Sequence, residues 1–288
     1  MQRNDSSDQA LTYHPSWLSV FLHRLASACR RVVPGRYYPF LYDTAFRFYK
    51  GLVRLLYYRH VLYRAIRGDG EQLQKVRTIH RVMPHSLVGA SGLAATYDAV
   101  IDIGQRGVEG DIVECGVARG GCAGLMGLAA RKDRKARKLW LFDSFAGLSE
   151  PTSDDYVGES TGKHVRPLSR GSCLGTLEDV EEFLFSDLRL ERGNVSLVKG
   201  WFQDTLPTSR HQVGPIALLR IDGDWYESTK CCLENLYDNV SPGGWVIVDD
   251  YGTCFGCKRA VDEFLAGRNL KVSLRGDGRG GCLFAKPG

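Results

Sequence analysis

Two short apolar runs end abruptly in carboxylates: Leu218-Leu219-Arg220-Ile221-Asp222-Gly223-Asp224-Trp225 and Trp245-Val246-Ile247-Val248-Asp249-Asp250-Tyr251-Gly252. A short apolar run bounded by turn residues is typical of a buried strand in a parallel sheet. The stretch between the two runs has helical spacing, and Ser241-Pro242-Gly243-Gly244 then predicts a turn before the second strand. The segment is therefore predicted to form a right-handed strand–helix–strand unit.

The carboxylates that follow these two strands should lie together, because neighbouring parallel strands end at the same edge of a sheet. Asp222 and Asp224 follow the first strand, and Asp249 and Asp250 follow the second. Like charges at close range are unfavourable unless a proton or a cation intervenes, and Mg²⁺ prefers oxygen ligands. A single Asp after a strand is more often a turn or helix-capping residue. Two pairs at two neighbouring strand ends favour a Mg²⁺ site instead.

The composition is that of a globular protein: 288 residues, 43% of them hydrophobic and 25% charged. This length suits one large α/β domain with appendages. The sequence shows no secretory signal and no apolar run long enough to span a membrane, and its nine cysteines have no regular spacing. The pair Cys254 and Cys257 lacks a second pair that would complete a zinc site. We expect reduced thiols and a cytoplasmic protein.

Residues 1–75 are predicted to form a basic, aromatic, helical N-terminal extension, and residues 76–288 a catalytic domain that begins with a connector and a helix over residues 92–103. The extension has two interpretations. It packs as a helical appendage on the core or on a second subunit of a homodimer, or it lies on an anionic membrane surface. No nucleic-acid-binding motif accompanies the basic residues, so we expect no nucleic acid partner.

The first strand–helix–strand unit has features of a nucleoside site. Gly116, Gly120 and Gly121 allow the backbone to approach a ligand, and Asp143, at the tip of the next strand, can accept hydrogen bonds from ribose hydroxyls. The glycine spacing is not that of a dinucleotide-binding motif. Glu114 suits a cationic ligand such as S-adenosylmethionine. An ordinary tight strand–helix turn is the alternative interpretation.

The remaining segments complete an α/β pattern. The polar stretch 147–172 is long enough to act as a lid, and Thr176 is predicted to cap a helix that runs to about residue 190. Trp201 follows a third strand and either stacks on a planar base or covers the core. Two antiparallel strands, 270–275 and 281–286, are predicted to end the chain.

Four ordered motifs resemble the macrocin O-methyltransferase family: 113–121 (Val-Glu-Cys-Gly-Val-Ala-Arg-Gly-Gly), 142–148 (Phe-Asp-Ser-Phe-Ala-Gly-Leu), 200–207 (Gly-Trp-Phe-Gln-Asp-Thr-Leu-Pro) and the acidic stretch through Gly252. The resemblance covers residues 82–286. It implies an α/β, Rossmann-like class I methyltransferase fold, with a mostly parallel seven-stranded sheet whose last strand is antiparallel. It also implies S-adenosylmethionine as methyl donor, Mg²⁺, and a small-molecule acceptor that carries a sugar hydroxyl, as in antibiotic biosynthesis.

The resemblance implies roles for individual residues. Asp222, Asp249 and Asp250 would bind Mg²⁺, and Asp224 would be the general base. The donor would contact Val82, Met83, Glu114, Cys115, Gly116, Val117, Ala118, Asp143, Ser144, Gly147, Thr176, Trp201 and Asp222. The sequence departs from the family at residues 253–255, where Thr-Cys-Phe replaces the usual His-Trp-Gln.

Two other functions stay open at this point. One is a catechol-like O-methyltransferase that uses similar metal chemistry on a small diol. The other is a membrane-associated, non-catalytic protein that binds S-adenosylmethionine. The complete set of carboxylates favours catalysis.

Overall fold

A computed structural model describes residues 38–133, 135–156 and 168–288. The N-terminal part of the predicted extension and residues 157–167 of the predicted lid lie outside these ranges. The chain folds into two compact units, with the boundary between Pro84 and His85. The predicted boundary between residues 75 and 76 lies within a helix, and the domain division stays a prediction.

Two helices are described in the N-terminal unit, α1 (Tyr38–Arg67) and α2 (Gly70–Val82), and they pack against each other. Asp69 begins α2 by accepting a hydrogen bond from the Gln72 backbone at 3.1 Å. The connector predicted to start at residue 76 is wrong, since α2 continues to Val82. One row of α1 exposes large apolar side chains to solvent: Leu52, Leu55, Leu56, Leu62, Tyr63 and Ile66.

No helix in the described part of the chain is long and apolar enough to cross a bilayer. The exposed row on α1 is compatible with either predicted partner, a second subunit or a membrane surface. Both stay predictions.

The second unit is built on a seven-stranded sheet in the order β3-β2-β1-β4-β5-β7-β6. The first five strands are parallel, and β7 pairs antiparallel with β5 and with β6. This confirms the predicted fold class. The strands are β1 (Asp111–Cys115), β2 (Leu139–Asp143), β3 (Val195–Lys199), β4 (Ile216–Ile221), β5 (Val240–Val248), β6 (Arg275–Gly276) and β7 (Cys282–Ala285).

Six α-helices are described in this unit. They are α3 (Ala90–Gln105), α4 (Gly121–Ala130), α5 (Leu177–Glu181), α6 (Phe202–Val213), α7 (Tyr226–Leu236) and α8 (Phe255–Gly267). A π-helical segment, Glu182–Asp187, continues α5. Apolar residues of α6, α7 and α8 pack with those of the central strands in one core cluster. Since strand residues alternate between faces, the central strands are buried on both sides.

Two segments differ from the prediction. Residues 241–244 do not form a separate turn before β5 but belong to that strand. The pairing with β4 shifts from Ile216–Val240 to Leu218–Trp245, and the extra residues of β5 form an irregularity between these two pairs. The strand predicted over 270–275 is reduced to the two residues of β6. The alternating apolar residues of 270–274 pack against the core instead of forming a ladder.

Candidate active site

The carboxyl ends of β1, β4 and β5 lie level with one another. Cys115 pairs with Ile221, and Ile221 pairs with Val248, so all three strands end at the same height. The Asp222 backbone donates to the Cys115 carbonyl at 2.8 Å, and the Asp249 backbone donates to the Ile221 carbonyl at 3.0 Å. The ladder therefore places the residues that follow each strand side by side.

Gly116, in the turn after β1, lies in direct contact with Asp222, the first residue after β4. Its φ is +93°, and a Cβ added there would lie 1.8 Å from the Asp222 carbonyl oxygen. Only glycine tolerates both the conformation and the close approach. The turn after β1 and the carboxylates after β4 are thereby parts of one site.

The carboxylates converge as predicted. One oxygen each from Asp222, Asp249 and Asp250 lies within 4.8 Å of the others. A second group, which satisfies the same distance, consists of an oxygen of Asp224, an oxygen of Asp250 and the sulfur of Cys254. Their roles as metal ligands stay predictions.

Two arginines that the sequence analysis did not single out lie among these carboxylates. Arg220, fully buried in β4, donates to Asp222 Oδ2 at 2.9 Å and to Asp249 Oδ1 at 2.6 Å. Arg279 donates to Asp249 Oδ2 at 2.9 Å. A charged residue inside a buried parallel strand must be paired, so Arg220 did carry a sequence signal. Arg279 comes from a turn near the end of the chain, and nothing in its local sequence indicated this contact.

Glu114 faces the same arginine. It is 1% exposed, and its Oε1 lies 3.7 Å from Arg220 Nη1. Burial raises the pKa of Glu114 to about 8, although the guanidinium of Arg220 opposes this shift. The positive charge nearest to Glu114 among the described residues is thus that of Arg220. The predicted contact of Glu114 with a cationic donor stays a prediction.

The site holds more carboxyl groups than guanidinium groups. Among the described residues it contains five carboxyl groups, those of Glu114, Asp222, Asp224, Asp249 and Asp250, and two guanidinium groups. Burial, followed by repulsion from Asp249, raises the pKa of Asp222 to about 6. Burial and the neighbouring Asp222 raise the pKa of Asp224 to about 8. Burial and repulsion from Asp224 also raise the pKa of Asp250 well above its usual range. A bound cation would oppose each of these shifts.

The residues present fit a hard divalent cation. Asp250 Oδ1 accepts a hydrogen bond from the Thr253 hydroxyl at 3.2 Å, while its buried Oδ2 has no hydrogen-bond partner in the described ranges. An unsatisfied buried acceptor costs about 1–3 kcal/mol, or more when it is charged. The donor set is entirely oxygen, as Mg²⁺ prefers. Both oxygens of Asp249 are paired with arginines, but each carboxylate oxygen retains a second lone pair.

Asp224 sits on a strained turn. Its φ is +56°, which costs a residue with a Cβ roughly 1–2 kcal/mol. The residues that follow are anchored to the start of the long loop after β2. The Trp225 indole donates to the Ser149 carbonyl at 3.1 Å, and the Tyr226 backbone donates to Asp155 Oδ1 at 2.7 Å. Asp155 is buried and also accepts from the Thr152 backbone at 2.8 Å.

Asp155 was not predicted as a site residue, because it stood among the polar residues of the predicted lid. Its contacts show that the loop base holds the turn that carries Asp224. Residues 157–167 of that loop lie outside the described ranges.

The predicted donor-binding segments also meet. Asp143 Oδ2 accepts from the Val117 and Ala118 backbones at 2.7 and 3.0 Å, and Oδ1 accepts from the Phe145 backbone at 2.7 Å. These bonds hold the turn after β1 against the tip of β2. The Ser144 hydroxyl donates to the Gly147 carbonyl at 3.0 Å and shapes the following turn.

Thr176 lies beside the same turn. A Cβ on the preceding residue, Gly175, would come within 1.9 Å of the Ala118 carbonyl oxygen, so the two segments touch. Thr176 caps α5 as predicted, since its hydroxyl accepts from the Asp179 backbone at 3.1 Å. The carbonyl of Asp143 accepts from the Gly200 backbone at 2.9 Å, which brings the neighbouring Trp201 to this edge of the sheet.

Four of the predicted donor contacts differ in what they can offer. The Cys115 side chain is buried in the core, so only its backbone faces the site. Trp201 is partly buried, and both interpretations of its role remain. Val82 and Met83 belong to the N-terminal unit, and their contact with a donor stays a prediction.

Comparison with known proteins supports a methyltransferase. A family model described as macrocin-O-methyltransferase (TylF) matches residues 50–281. The chain is 40% identical to demethyldecarbamoylnovobiocin O-methyltransferase of Streptomyces niveus over 202 residues, which cover 69% of this chain and 75% of the relative. It is 34% identical, over 75% of this chain and 82% of the relative, to 8-demethyl-8-(2,3-dimethoxy-alpha-L-rhamnosyl)-tetracenomycin-C 4′-O-methyltransferase of Streptomyces olivaceus.

A solved structure shows the same architecture. The O-methyltransferase NovP superimposes with a TM-score of 0.63 at 38% sequence identity, and the match covers 71% of this chain and 83% of NovP.

Proposed function

Since this chain belongs to the macrocin O-methyltransferase family and is an S-adenosylmethionine-dependent O-methyltransferase, we propose that it methylates a sugar hydroxyl of a glycosylated natural product with the help of Mg²⁺. One observation carries the metal part of this proposal. Among the described residues, the acidic edge holds five carboxyl groups against two guanidinium groups, and Asp250 keeps a buried oxygen without a hydrogen-bond partner.

The proposed acceptor follows from the relatives. The one at 34% identity is named for the 4′ position of a compound with a dimethoxyrhamnosyl group, and the one at 40% identity for demethyldecarbamoylnovobiocin. Both names describe small molecules, and the first names a sugar. We therefore assign a small-molecule acceptor to this chain and propose that its reactive hydroxyl belongs to a sugar.

Asp222, Asp249 and Asp250 would hold the Mg²⁺, with Arg220 and Arg279 orienting two of these carboxylates. When bound, Mg²⁺ supplies Lewis acidity that lowers the pKa of a nearby hydroxyl. Arg220 is fully buried and Asp249 is nearly so, so little side-chain freedom is left to lose when the site fills.

Asp224 is the proposed general base. Burial and the neighbouring Asp222 raise its pKa in the metal-free site, and a bound cation would lower it again, so the carboxylate would be ionised and able to accept a proton when the site is filled. The hydroxyl proton passes to Asp224, and the methyl group passes from the donor sulfur to the acceptor oxygen. The strained turn keeps this carboxylate at the ligand edge, because Trp225 and Tyr226 are anchored to the loop base.

The proposed donor site lies where the turn after β1 meets the tip of β2. Backbone groups of Gly116, Val117 and Ala118 belong to the first segment, and Asp143 and Ser144 belong to the second. Asp143 can accept ribose hydroxyls through the lone pairs that its backbone donors leave free. Thr176, Gly147 and Trp201 would complete the contacts.

The test is methyl transfer to a panel of glycosylated and phenolic acceptors, followed by mass spectrometry, in Mg²⁺ and in excess EDTA. We expect a mass gain of one methyl group on a glycosylated acceptor in Mg²⁺ and its loss in EDTA. Full transfer in EDTA would contradict the metal role. If methyl transfer occurred only to phenolic diols, the proposed sugar acceptor would be wrong and a catechol-like acceptor would take its place.

A further inference from the structure

Cys254 lies beside two of the active-site carboxylates. It directly precedes α8, it is 8% exposed, and its sulfur is 4.0 Å from Asp224 Oδ1. The sulfur, one oxygen of Asp224 and one oxygen of Asp250 all lie within 4.8 Å of one another. Around a tetrahedral ion with bonds of about 2.0–2.3 Å, donor atoms are separated by roughly 3.5 Å. Small side-chain rotations would bring these three atoms onto one ion.

A second observation points to a ligand at this place. Asp250 is 9% exposed, and its Oδ2 has no hydrogen-bond partner within the described residues. Its other oxygen is occupied by the Thr253 hydroxyl. A buried carboxylate oxygen without a donor is unfavourable, and a cation would satisfy it. Asp250 belongs to both groups of possible ligands, so it can complete either one.

We propose that Asp224, Asp250 and Cys254 form a second metal site, selective for thiophilic divalent cations such as Zn²⁺ and Cd²⁺, and that its occupation blocks methyl transfer. The chemistry of the donors separates the two sites. A thiolate favours Zn²⁺ over Mg²⁺, whereas Asp222, Asp249 and Asp250 offer oxygen alone. Three protein ligands leave a fourth position for water, as in many zinc sites.

Binding releases a proton, because the metal coordinates the thiolate of Cys254 and the thiol proton leaves to solvent. The two sites exclude each other, since both need Asp250. Inhibition also follows from the loss of Asp224, whose carboxylate cannot accept a proton while it is a ligand. This last step rests on the proposed role of Asp224 as general base, but the binding itself does not.

The experiment is a titration of the EDTA-treated, desalted enzyme with Cd²⁺, followed by the sulfur-to-cadmium charge-transfer absorption in the ultraviolet. We expect the band to saturate at one equivalent in the wild type and to be absent in Cys254→Ser. The matched control is Cys257→Ser, a buried cysteine one turn further along α8, which should keep the band. Excess Mg²⁺ should raise the Cd²⁺ concentration that gives half-saturation.

Three further measurements test the second site. The first uses the wild type alone and does not depend on the folding of a variant, and the second separates metal binding from the proposed function. In the wild type, mass spectrometry after alkylation should show Cys254 protected by Zn²⁺, while the partly exposed Cys173 is not. Asp222→Asn should lose Mg²⁺-dependent turnover but keep the cadmium band. The Zn²⁺ concentration that halves methyl transfer should be at least about tenfold higher for Cys254→Ser than for the wild type.

The second site is wrong if the wild type gives no band at stoichiometric Cd²⁺, if Cys254→Ser keeps the full band, or if Zn²⁺ leaves the alkylation of Cys254 unchanged. A cadmium band together with methyl transfer that needs no Mg²⁺ would instead retain the second site and overturn the proposed function.

Discussion

Arg220 Nη2 donates to Asp249 Oδ1 across 2.6 Å, so a residue inside β4 holds the first carboxylate after β5. The same guanidinium reaches Asp222 and lies near Glu114. The acidic edge is therefore organised by the protein itself, and two of its carboxylates are already oriented. What the arginines leave is two carboxyl groups, those of Asp224 and Asp250, that they do not hydrogen-bond.

Replacing Arg220 by Met should strongly destabilise the fold. The change leaves Glu114 buried without its partner and removes one of the two arginines that hold Asp249. Breaking a buried pair from one side costs about 3–5 kcal/mol. Urea denaturation measures this loss. Arg106→Met, which removes a solvent-exposed pair with Asp102 and a hydrogen bond to the Gly243 carbonyl, should cost at most about 2 kcal/mol. Equal losses in the two variants would contradict the organising role of Arg220.

Replacing Asp250 by Asn should reduce Mg²⁺-dependent turnover by roughly a hundredfold or more, with donor binding nearly unchanged. The variant keeps the shape of the side chain but removes the charge of the unpartnered oxygen. Steady-state kinetics and calorimetry with the donor measure the two effects. Asp204→Asn, on the exposed first turn of α6, is the control. Unimpaired turnover of Asp250→Asn would exclude this carboxylate as a metal ligand.

The stability of the metal-free protein should fall as the pH rises from about 5 to 8, in part through Glu114. Its pKa is about 8 in the folded protein and about 4.3 in an unfolded chain. Between these values the native state binds more protons than the unfolded state, so the free energy of unfolding decreases with rising pH. Glu114→Gln cannot ionise and should show a smaller decrease. In the control Glu109→Gln, which changes an exposed residue, stability should depend on pH as in the wild type. If all three proteins showed the same pH dependence of stability, Glu114 would not be its source.

Replacing Asp155 by Ala should lower both stability and kcat. It removes the acceptor of the Tyr226 backbone at the start of α7, a loss of about 1–2 kcal/mol. It also loosens the turn that carries Asp224, so kcat should fall while donor affinity stays the same. The neighbouring Asp154→Ala is the matched control, because its pair with Arg259 is partly exposed to solvent and contributes about 1 kcal/mol. If Asp155→Ala and Asp154→Ala had the same kcat, Asp155 would have no role in positioning Asp224.

Replacing Gly116 by Ala should destabilise the fold by about 3 kcal/mol or more, through backbone strain and the clash with Asp222. Gly107→Ala is a control for strain alone. Gly107 has a φ of +64°, and a Cβ there would meet nothing within 4 Å. We expect about 1 kcal/mol for that change. Thermal unfolding of the two variants measures both effects. Similar midpoints would show that a Cβ at residue 116 does not clash with Asp222.

The architecture was predictable because its signals are local. Apolar runs that end in turn residues identify the parallel strands, and Thr176 and the helical spacing after Asp224 identify helices. The two errors in the sheet have a common cause. Residues 241–244 and 270–274 have local patterns typical of a turn and a strand, but the shifted pairing with β4 decides the conformation of the first segment and packing on the core that of the second.

The candidate site was predictable to the extent that strand order decides it. Asp222, Asp224, Asp249 and Asp250 each follow a strand, so a parallel sheet must bring them together, and the sequence alone established this. The partners of these carboxylates depended on the tertiary structure. Arg279, Asp155 and Cys254 come from different loops and turns. Which atoms they contact depends on how these segments pack over the sheet, and no local periodicity encodes that packing.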